Sequence, residues 1–281
     1  MVLYFKKAIG YFMPSKLEPW NKRTKQGNPT RSVEVNEMVK KMRKFEVRKQ
    51  GAPSKARRAL KVAEYESIIN VLRRSDDTTK RFLQVAFHAY QLHMIARLDD
   101  TAHVKKDNIK SHLDYDFCLL GQIRWSKNVS EERDAPNKII FGAMDTRYCV
   151  LLALAMHLEV WFASPEGSTP VNDFIFGIGG EDKDKGPART KTTIYNCLRN
   201  YVFKHEDFRH DEVAGPLGTH SFRKLPASLA RKKGCSRDDV DSRGRWRKVR
   251  VSDSYIDVTL PYNDAKVASK LCVGGAIKYE L

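Results

Sequence analysis

The alternation of apolar and polar positions predicts a chain built mainly of helices. Residues 1–13 mix apolar side chains with lysines, which predicts a short amphipathic helix that Pro14 ends. A polar, strongly basic stretch covers 21–58, and within it residues 33–49 carry a loose apolar stripe. We therefore interpret residues 21–58 as a connector that contains one basic helix.

A compact body is predicted to begin near Leu60. Residues 78–98 place apolar side chains on one face at three- and four-residue spacing, which predicts a strong helix with Arg97 at its end. The capping candidates for this helix are Asp76, Asp77 and Thr78. Segments 117–129 and 137–142 predict two strands joined by a polar turn.

The C-terminal half is predicted to be helical as well. Residues 147–162 are apolar on nearly every side, which predicts a buried helix after a cap at Asp145, and residues 177–190 predict a loop. Further helices are predicted over 192–203, from Thr219 to Gly234, from Ser236 onward, in a short turn from Ser252 that carries Tyr255, and within 263–281. Together these elements predict a mainly α fold with a small antiparallel β-sheet, of the α+β class.

The positive charge is concentrated near the N-terminus. The 281 residues include 51 Lys and Arg against 34 Asp and Glu, and residues 1–60 hold 16 of these bases and 4 of these acids. Nucleic acid is the commonest partner for such a segment, while a solvated surface, a membrane-attracted stretch and an import signal remain alternatives. The candidate DNA-binding residues are Lys40, Lys41, Arg43, Lys44, Arg48, Lys49, Lys55, Arg57 and Arg58.

Composition argues against several other classes of protein. A hydrophobic content of 41% is enough for a core, so wholesale disorder is excluded. No apolar stretch approaches the roughly 18 residues of a membrane span, and the apolar run at the N-terminus is far too short, with lysines inside it, for a secretory signal. Five scattered cysteines without a C-x-x-C pair argue against a disulfide framework or a cysteine zinc site and favour a reducing compartment.

The most informative residues are spread over much of the predicted body. His220 and Arg223 lie three apart in GTHSFRK, on one face of a predicted helix. Trp246 follows 23 residues after Arg223, and Tyr255 follows 9 residues later. Upstream, Arg97 stands in ARLDDT, and 30 residues later Lys127 stands in WSKNVSEERDAP beside the predicted strand turn.

This ordered set resembles the tyrosine recombinases of the lambda-integrase and Cre type. The sequence segments around these residues, ARLDDT, WSKNVSEERDAP and GRWRK, further resemble integrase-like proteins of eukaryotic mobile elements of the Crypton type. The resemblance implies the DNA breaking–rejoining fold over 59–281 as a catalytic domain. It also implies that the basic segment and linker of 1–58 form a truncated, core-binding-like part. The implied partner is double-stranded DNA, bound by a homo-tetramer that the C-terminal segment ties together.

The resemblance also implies a role for each site residue. Tyr255 matches the nucleophile, Arg97 the first arginine, and Lys127 the lysine of the β-hairpin. His220 and Arg223 match the His-x-x-Arg motif, Trp246 stands where members carry His or Trp, and Asp100 takes the place of an acidic helper. Gly244 fits the glycine of that motif only loosely, because one residue separates it from Trp246.

The chemistry of strand cleavage explains these residue types. Attack on a phosphodiester builds a second negative charge on the non-bridging oxygens, and two guanidinium groups can hold both oxygens. A phenol with a pKa of ~10 needs a base or a cationic field to become a nucleophile. A lysine can protonate the departing 5′ oxygen, a histidine can shuttle a proton or bond the phosphate, and an indole can orient it. We expect no metal and no cofactor, because the arginines supply the positive charge.

Each residue alone also has an ordinary structural explanation. His220 could be a capped histidine, Tyr255 a tyrosine at the edge of a core, Arg97 an ion-pair partner of a neighbouring aspartate, Lys127 a surface lysine and Trp246 a core residue. Three other functions therefore stay open: an inactive or domesticated DNA-binding protein with the same fold, an enzyme of the type IB topoisomerase kind, and a basic RNA- or chromatin-binding protein. We expect nuclear localisation in a eukaryote and cytoplasmic localisation with DNA otherwise.

Other possible sites are weaker. His205, Asp207, His210 and Asp211 lack ligand spacing on a defined element, so a polar loop explains them better than a metal site. The scattered acids Asp114, Asp116 and Glu131 could suggest a two-metal nuclease, but exposed turns account for them. The GIGG stretch at 177–180 lacks the spacing of a nucleotide-binding loop.

Overall fold

The fold is described from a computed structural model that covers most of the chain. It describes residues 2–48, 50, 57–115, 117–126, 129–130, 134–163, 173–177, 186–209, 215–246 and 262–277. Several residues singled out above lie outside these ranges: Lys49, Lys55, Asp116, Lys127, Glu131, Gly179, Gly180, His210, Asp211, Ser252 and Tyr255. The chain divides into two compact units, Met1–Ala56 and Arg57–Leu281.

The N-terminal unit contains two helices around a buried asparagine. Helices α1 (Val2–Phe12) and α2 (Val33–Val47) agree with the elements predicted there. The side chain of Asn28 is buried, and its amide nitrogen donates to the carbonyl oxygens of Gly10 and Lys16 at 3.3 and 3.1 Å. Asn28 therefore stabilises the turn between the helices, in a unit where α1 buries none of its own side chains.

The second unit opens with helices that build most of its core. These are α3 (Val62–Arg73), α4 (Val85–His93) and α5 (Leu98–Ala102), and every residue of α4 is buried. The single helix predicted over 78–98 begins where the sequence placed it, with the Lys80 N–H donating to Asp77 Oδ1 at 3.2 Å, but it ends earlier than predicted. Residues Thr79–Gln84 form a π-helical turn, and α4 ends at His93, because Ile95 has a φ of 46° that no α-helix accommodates. Arg97 consequently lies at the N-terminus of α5 and not at the end of a long helix.

A three-stranded antiparallel sheet lies beside these helices. Its strands are β1 (Ile109–Ser111), β2 (Cys118–Gly121) and β3 (Lys138–Phe141), in the order β1-β2-β3. The two strands predicted over 117–129 and 137–142 are β2 and β3, which pair with Leu119 opposite Ile140, but β2 ends at Gly121 and is much shorter than predicted. Strand β1 was not predicted, because three residues are too few to show an alternating pattern.

Two further helices differ in part from the sequence prediction. Helix α6 (Val150–Ala163) was predicted to be buried on all sides, which is wrong: Leu152 and Met156 are 39% and 40% exposed. Helix α7 (Gly186–Asn200) begins inside the segment that was predicted to be a loop. A proline at its second position is compatible with a helix start, because the first N–H groups of a helix need no intrahelical partner.

Helices α8 (Thr219–Lys232), α9 (Arg237–Arg243) and α10 (Tyr262–Leu271) complete the unit. Gly234 follows α8 with a φ of 86°, and the Ser236 side chain caps α9, as predicted. The cap of α8 is Gly218 and not Thr219, since Gly218 N–H donates to the Ser221 hydroxyl at 3.0 Å. Mainly helical structure with a small antiparallel sheet confirms the predicted α+β class.

The apolar face of α10 packs within its own chain. Val267, Ala268, Leu271 and Cys272 are all buried there. All five cysteines of the chain are buried and free. Within the described ranges, no helix has the length and apolarity that crossing a membrane demands.

Candidate active site

Three arginines meet a single buried carboxylate in the second unit. Asp100 Oδ2 accepts hydrogen bonds from Arg223 Nη1 at 3.2 Å and from Arg245 Nη2 at 3.3 Å. Arg97 Nη1 lies 3.6 Å from the same oxygen, and the Arg97 backbone N–H donates to it at 3.1 Å. Asp100 is only 2% exposed. These four residues, which we call the arginine cluster, carry three positive charges and one negative charge.

Local structure brings each member of the arginine cluster to this point. Arg97 is the N-cap residue of α5 and Asp100 lies in its first turn, where the carboxylate accepts the Arg97 N–H in the manner of a capping box. Arg223 lies on the buried face of α8. Arg245 lies just beyond the end of α9 with a φ of 56°, a left-handed conformation that turns the chain after that helix.

The arginine cluster has an excess of positive charge in a region that water hardly reaches. Arg223 is 4% exposed, and burial lowers the pKa of its guanidinium, with Arg97 and Arg245 lowering it further and Asp100 opposing them. Burial likewise lowers the pKa of Arg245. The Nε of Arg223 is buried and finds no hydrogen-bond acceptor among the described residues. An anion bound here would relieve the repulsion between the guanidinium groups.

Trp246 contacts the arginine cluster through Arg223. The Arg223 guanidinium carbon lies 4.7 Å from the centre of the Trp246 ring, which is a cation–π arrangement. Arg223 Nη2 also donates to the carbonyl oxygen of Gly244. Trp246 itself is 43% exposed, so its ring lies over a buried charge and still faces the surface. Trp246 therefore helps to fix the plane of the Arg223 guanidinium.

Of the other predicted site residues, the structure describes His220 but not Lys127 or Tyr255. His220 lies in the first turn of α8, one turn before Arg223, and its side chain is exposed. It forms no hydrogen bond or ion pair with any part of the chain that the structure describes. Lys127 and Tyr255 lie outside the described residues, but Ser126, the neighbour of Lys127, accepts a hydrogen bond from Arg97 Nη1 at 3.2 Å. The structure thus brings together Arg97, Asp100, Arg223 and Trp246.

Sequence reasoning missed Arg245 as a member of the arginine cluster. In the sequence it is one of several basic residues in RGRWRK, and the resemblance assigns roles to its neighbours Gly244 and Trp246 but none to Arg245 itself. Arg243 in the same run is fully buried and donates to His93 O, Ile139 O and Asp264 Oδ2 at 2.8, 2.7 and 2.7 Å. The one available signal was its position directly before Trp246, a predicted site residue.

The candidate DNA-binding residues differ in how accessible they are. Lys40, Lys41, Arg43, Lys44 and Arg48 are all exposed on α2 or at its end. In the second unit Arg57 is exposed, whereas Arg58 Nη1 donates to Glu64 Oε2 at 2.7 Å and its Nε donates to Gly215 O at 2.8 Å. Arg58 therefore has a structural role in joining the segment before α3 to the one before α8.

The alternative metal sites gain no support from the geometry. Within the residues that the structure describes, no group of three or more His, Cys, Asp or Glu side chains is arranged to hold a metal ion. The Asp207 backbone N–H donates to His205 Nδ1 at 3.2 Å, and Asp207 Oδ2 pairs with Arg74 Nη1 at 3.3 Å. Asp114 is exposed in a turn.

Comparison with known proteins does not place the chain in a family. No protein-family model matches it, and no curated protein matches its sequence.

Proposed function

We propose that this protein cleaves and rejoins DNA strands through a covalent 3′-phosphotyrosine on Tyr255, as tyrosine recombinases do. The observation that supports the proposal most strongly is the arginine cluster, in which Arg97, Arg223 and Arg245 share the single carboxylate of Asp100. An excess of guanidinium charge suits an anion whose charge grows during the reaction, as that of a phosphodiester does.

In the proposed reaction each residue has a separate role in strand cleavage and rejoining. The phenolic oxygen of Tyr255 attacks the phosphorus, the bond from phosphorus to the 5′ oxygen breaks, and Lys127 protonates the departing oxygen. Arg97 and Arg223 hold the two non-bridging oxygens. A DNA hydroxyl then attacks the phosphotyrosine, which reseals the strand and frees the enzyme.

The supporting residues act on these groups. His220, exposed one turn before Arg223, exchanges a proton with the reacting oxygens. Trp246 orients the Arg223 guanidinium by stacking on it. Asp100 orients the arginines, and its negative charge reduces the repulsion between them.

DNA is the proposed partner, held in part by the exposed basic side chains of α2. Assembly into a tetramer through the C-terminal segment belongs to the same proposal. The apolar face of α10 is buried within its own chain, so contacts between protomers would use other residues of that segment. The basic clusters suit nuclear import in a eukaryotic cell; in other cells the enzyme would meet DNA in the cytoplasm.

A suicide DNA substrate with a nick beside the scissile phosphate tests the proposal, because the released fragment leaves and the covalent adduct accumulates. We expect a protein–DNA adduct that resists denaturation, and we expect Tyr255→Phe to abolish it. Tyr195→Phe is the matched control, because Tyr195 is an exposed tyrosine on α7, and it should leave the adduct unchanged. An adduct that survives Tyr255→Phe would remove Tyr255 from the role of nucleophile.

Three other functions remain as alternatives, and a different observation would indicate each. Duplex binding without any adduct would indicate a DNA-binding protein that has kept the fold and lost catalysis. Relaxation of supercoiled DNA without strand exchange would indicate an enzyme of the topoisomerase kind. A preference for RNA over duplex DNA would favour the basic RNA-binding alternative.

A further inference from the structure

An aromatic cleft of about 540 Å³ lies at the C-terminal end of α5, the helix that begins after Arg97. Its walls come from the end of α5, the turn before β1, the segment after β2 and the start of α7. The volume is within the range of pockets that hold small organic ligands, roughly 300–1,000 Å³. Nothing in the proposed cleavage chemistry uses this cleft.

The cleft has an aromatic platform. The rings of His103 and Trp125 stack with their centres 4.4 Å apart and 17° between their planes, and Phe174 meets His103 edge-on at 6.2 Å. The His103 ring is itself held, since its Nδ1 lies 2.8 Å from the carbonyl oxygen of Asp99. Trp125 nevertheless remains 58% exposed. A stacked tryptophan with so much free surface offers a flat apolar face to a ligand.

Charged side chains surround this platform. Lys105 Nζ lies 5.4 Å from the centre of the Phe174 ring, and Arg124 also lines the cleft. The acidic residue in the lining is Asp107, and Arg124 Nη1 pairs with it at 2.8 Å. Two cations against one carboxylate leave the lining with a net positive charge. A ligand with a planar aromatic group and an anionic group attached to it fits this combination.

The cleft is linked directly to the arginine cluster. Trp125 precedes Ser126, whose hydroxyl accepts a hydrogen bond from Arg97. His103 follows α5, whose first turn carries Arg97 and Asp100. The cleft is therefore close enough to the arginine cluster for one DNA strand to reach both.

We propose that the cleft binds an unpaired nucleotide of a DNA strand, with its base stacked on Trp125 and its phosphate facing Lys105 and Arg124. This inference rests on the proposed function only in taking DNA as the partner. Stacking on an aromatic side chain tolerates any base, because every base has a π face. The cleft would thus favour frayed, nicked or single-stranded DNA over intact duplex without reading its sequence.

The test compares the affinity of the full-length protein for two kinds of labelled DNA by fluorescence anisotropy. One is a blunt duplex. The other is the same duplex with a short single-stranded tail, prepared once with a 5′ tail and once with a 3′ tail. We expect tighter binding of a tailed duplex. Trp125→Ala should reduce that preference by roughly 5-fold or more, with little change for the blunt duplex. Trp125→Phe retains a ring and should keep most of the preference.

Three controls make the result specific. Tyr195→Ala removes another exposed aromatic side chain and should leave the preference intact. A tail of abasic sites keeps the phosphates without the bases and should lose most of the preference, because only the phosphate contacts remain. Free deoxyadenosine monophosphate should not displace the tail at micromolar concentration, and displacement would assign the cleft to free nucleotides and overturn its assignment to a DNA strand.

The outcomes also separate this inference from the proposed function. Normal binding of both DNAs by a folded Trp125→Ala protein, with the tail preference unchanged, overturns the cleft assignment and leaves the proposed function intact. Failure of the wild-type protein to bind any of the DNAs contradicts the proposed function itself. Circular dichroism and thermal unfolding of each variant establish that it is folded.

Discussion

Arg223 Nη1 donates a hydrogen bond of 3.2 Å to Asp100 Oδ2, across 123 positions of the sequence. Both side chains are nearly inaccessible to water, and the same carboxylate oxygen also receives Arg245. Breaking this contact costs more free energy of unfolding than breaking a surface ion pair, because the remaining buried charge is compensated by neither water nor protein.

Replacement of Asp100 should therefore be costly. Asp100→Asn keeps the size of the side chain and removes its charge, so three guanidinium groups lose their shared counter-charge. We expect the free energy of unfolding to fall by about 3–5 kcal/mol, measured by urea denaturation. Asp99→Asn is the control: Asp99 is about half exposed and pairs with Lys191 at 2.8 Å, so its loss should cost below about 1 kcal/mol. An equal loss in the free energy of unfolding for both variants would contradict a buried arginine cluster that depends on Asp100.

Inorganic phosphate should stabilise the folded protein at matched ionic strength. An anion at the arginine cluster offsets its excess positive charge and binds only the folded state, so the melting temperature should rise with phosphate concentration; at 100 times the Kd the gain is about 2.7 kcal/mol. Arg97→Ala should remove most of this effect. Arg74→Ala, at an exposed arginine paired with Asp207, should preserve it. Stabilisation that survives Arg97→Ala would place the phosphate elsewhere.

Stability should fall between pH 7 and pH 5 because of two buried histidines. Burial lowers the pKa of His88 and of His93 to about 4, from 6.5. The unfolded state therefore binds more protons in this interval, and stability decreases as pH falls. Each histidine should contribute about 2 kcal/mol of this loss by pH 5. Urea denaturation at several pH values measures it, and His93→Gln should make the dependence shallower; a flat profile would mean that water reaches these rings in the folded protein.

The basic side chains of α2 should govern the salt dependence of DNA binding. Simultaneous replacement of Lys40, Lys41, Arg43 and Lys44 by alanine should lower the log–log salt slope by roughly 0.9 for each DNA phosphate that the variant no longer neutralises. Exchanging lysines for arginines and arginines for lysines at the same positions retains the charge and should retain the slope. Anisotropy titrations over a range of salt concentrations measure both. An unchanged slope in the alanine variant would show that α2 does not track the backbone.

Some features of the fold were predictable because their causes are local. The cap of α9 by Ser236 and the glycine after α8 act within one helical turn, and the pairing of β2 with β3 follows from two short apolar runs and a turn between them. The exposure of Leu152 and Met156 on α6 was not predictable in this way, because an apolar sequence does not state which of its sides the rest of the chain will cover.

The sequence by itself determined the helical class of the protein, the approximate bounds of α1, α2 and α8, and the order of residues suited to phosphate chemistry. Only the tertiary structure decided that α4 ends at His93, that Arg97 begins a new helix, and that Arg245 joins Arg97 and Arg223 on Asp100. The physical reason is the distance along the chain between the residues that interact. Helix caps and turns depend on hydrogen bonds between near neighbours, which a sequence displays directly. A cluster of like charges around one buried carboxylate depends on packing between distant segments, which exists only after the chain has folded.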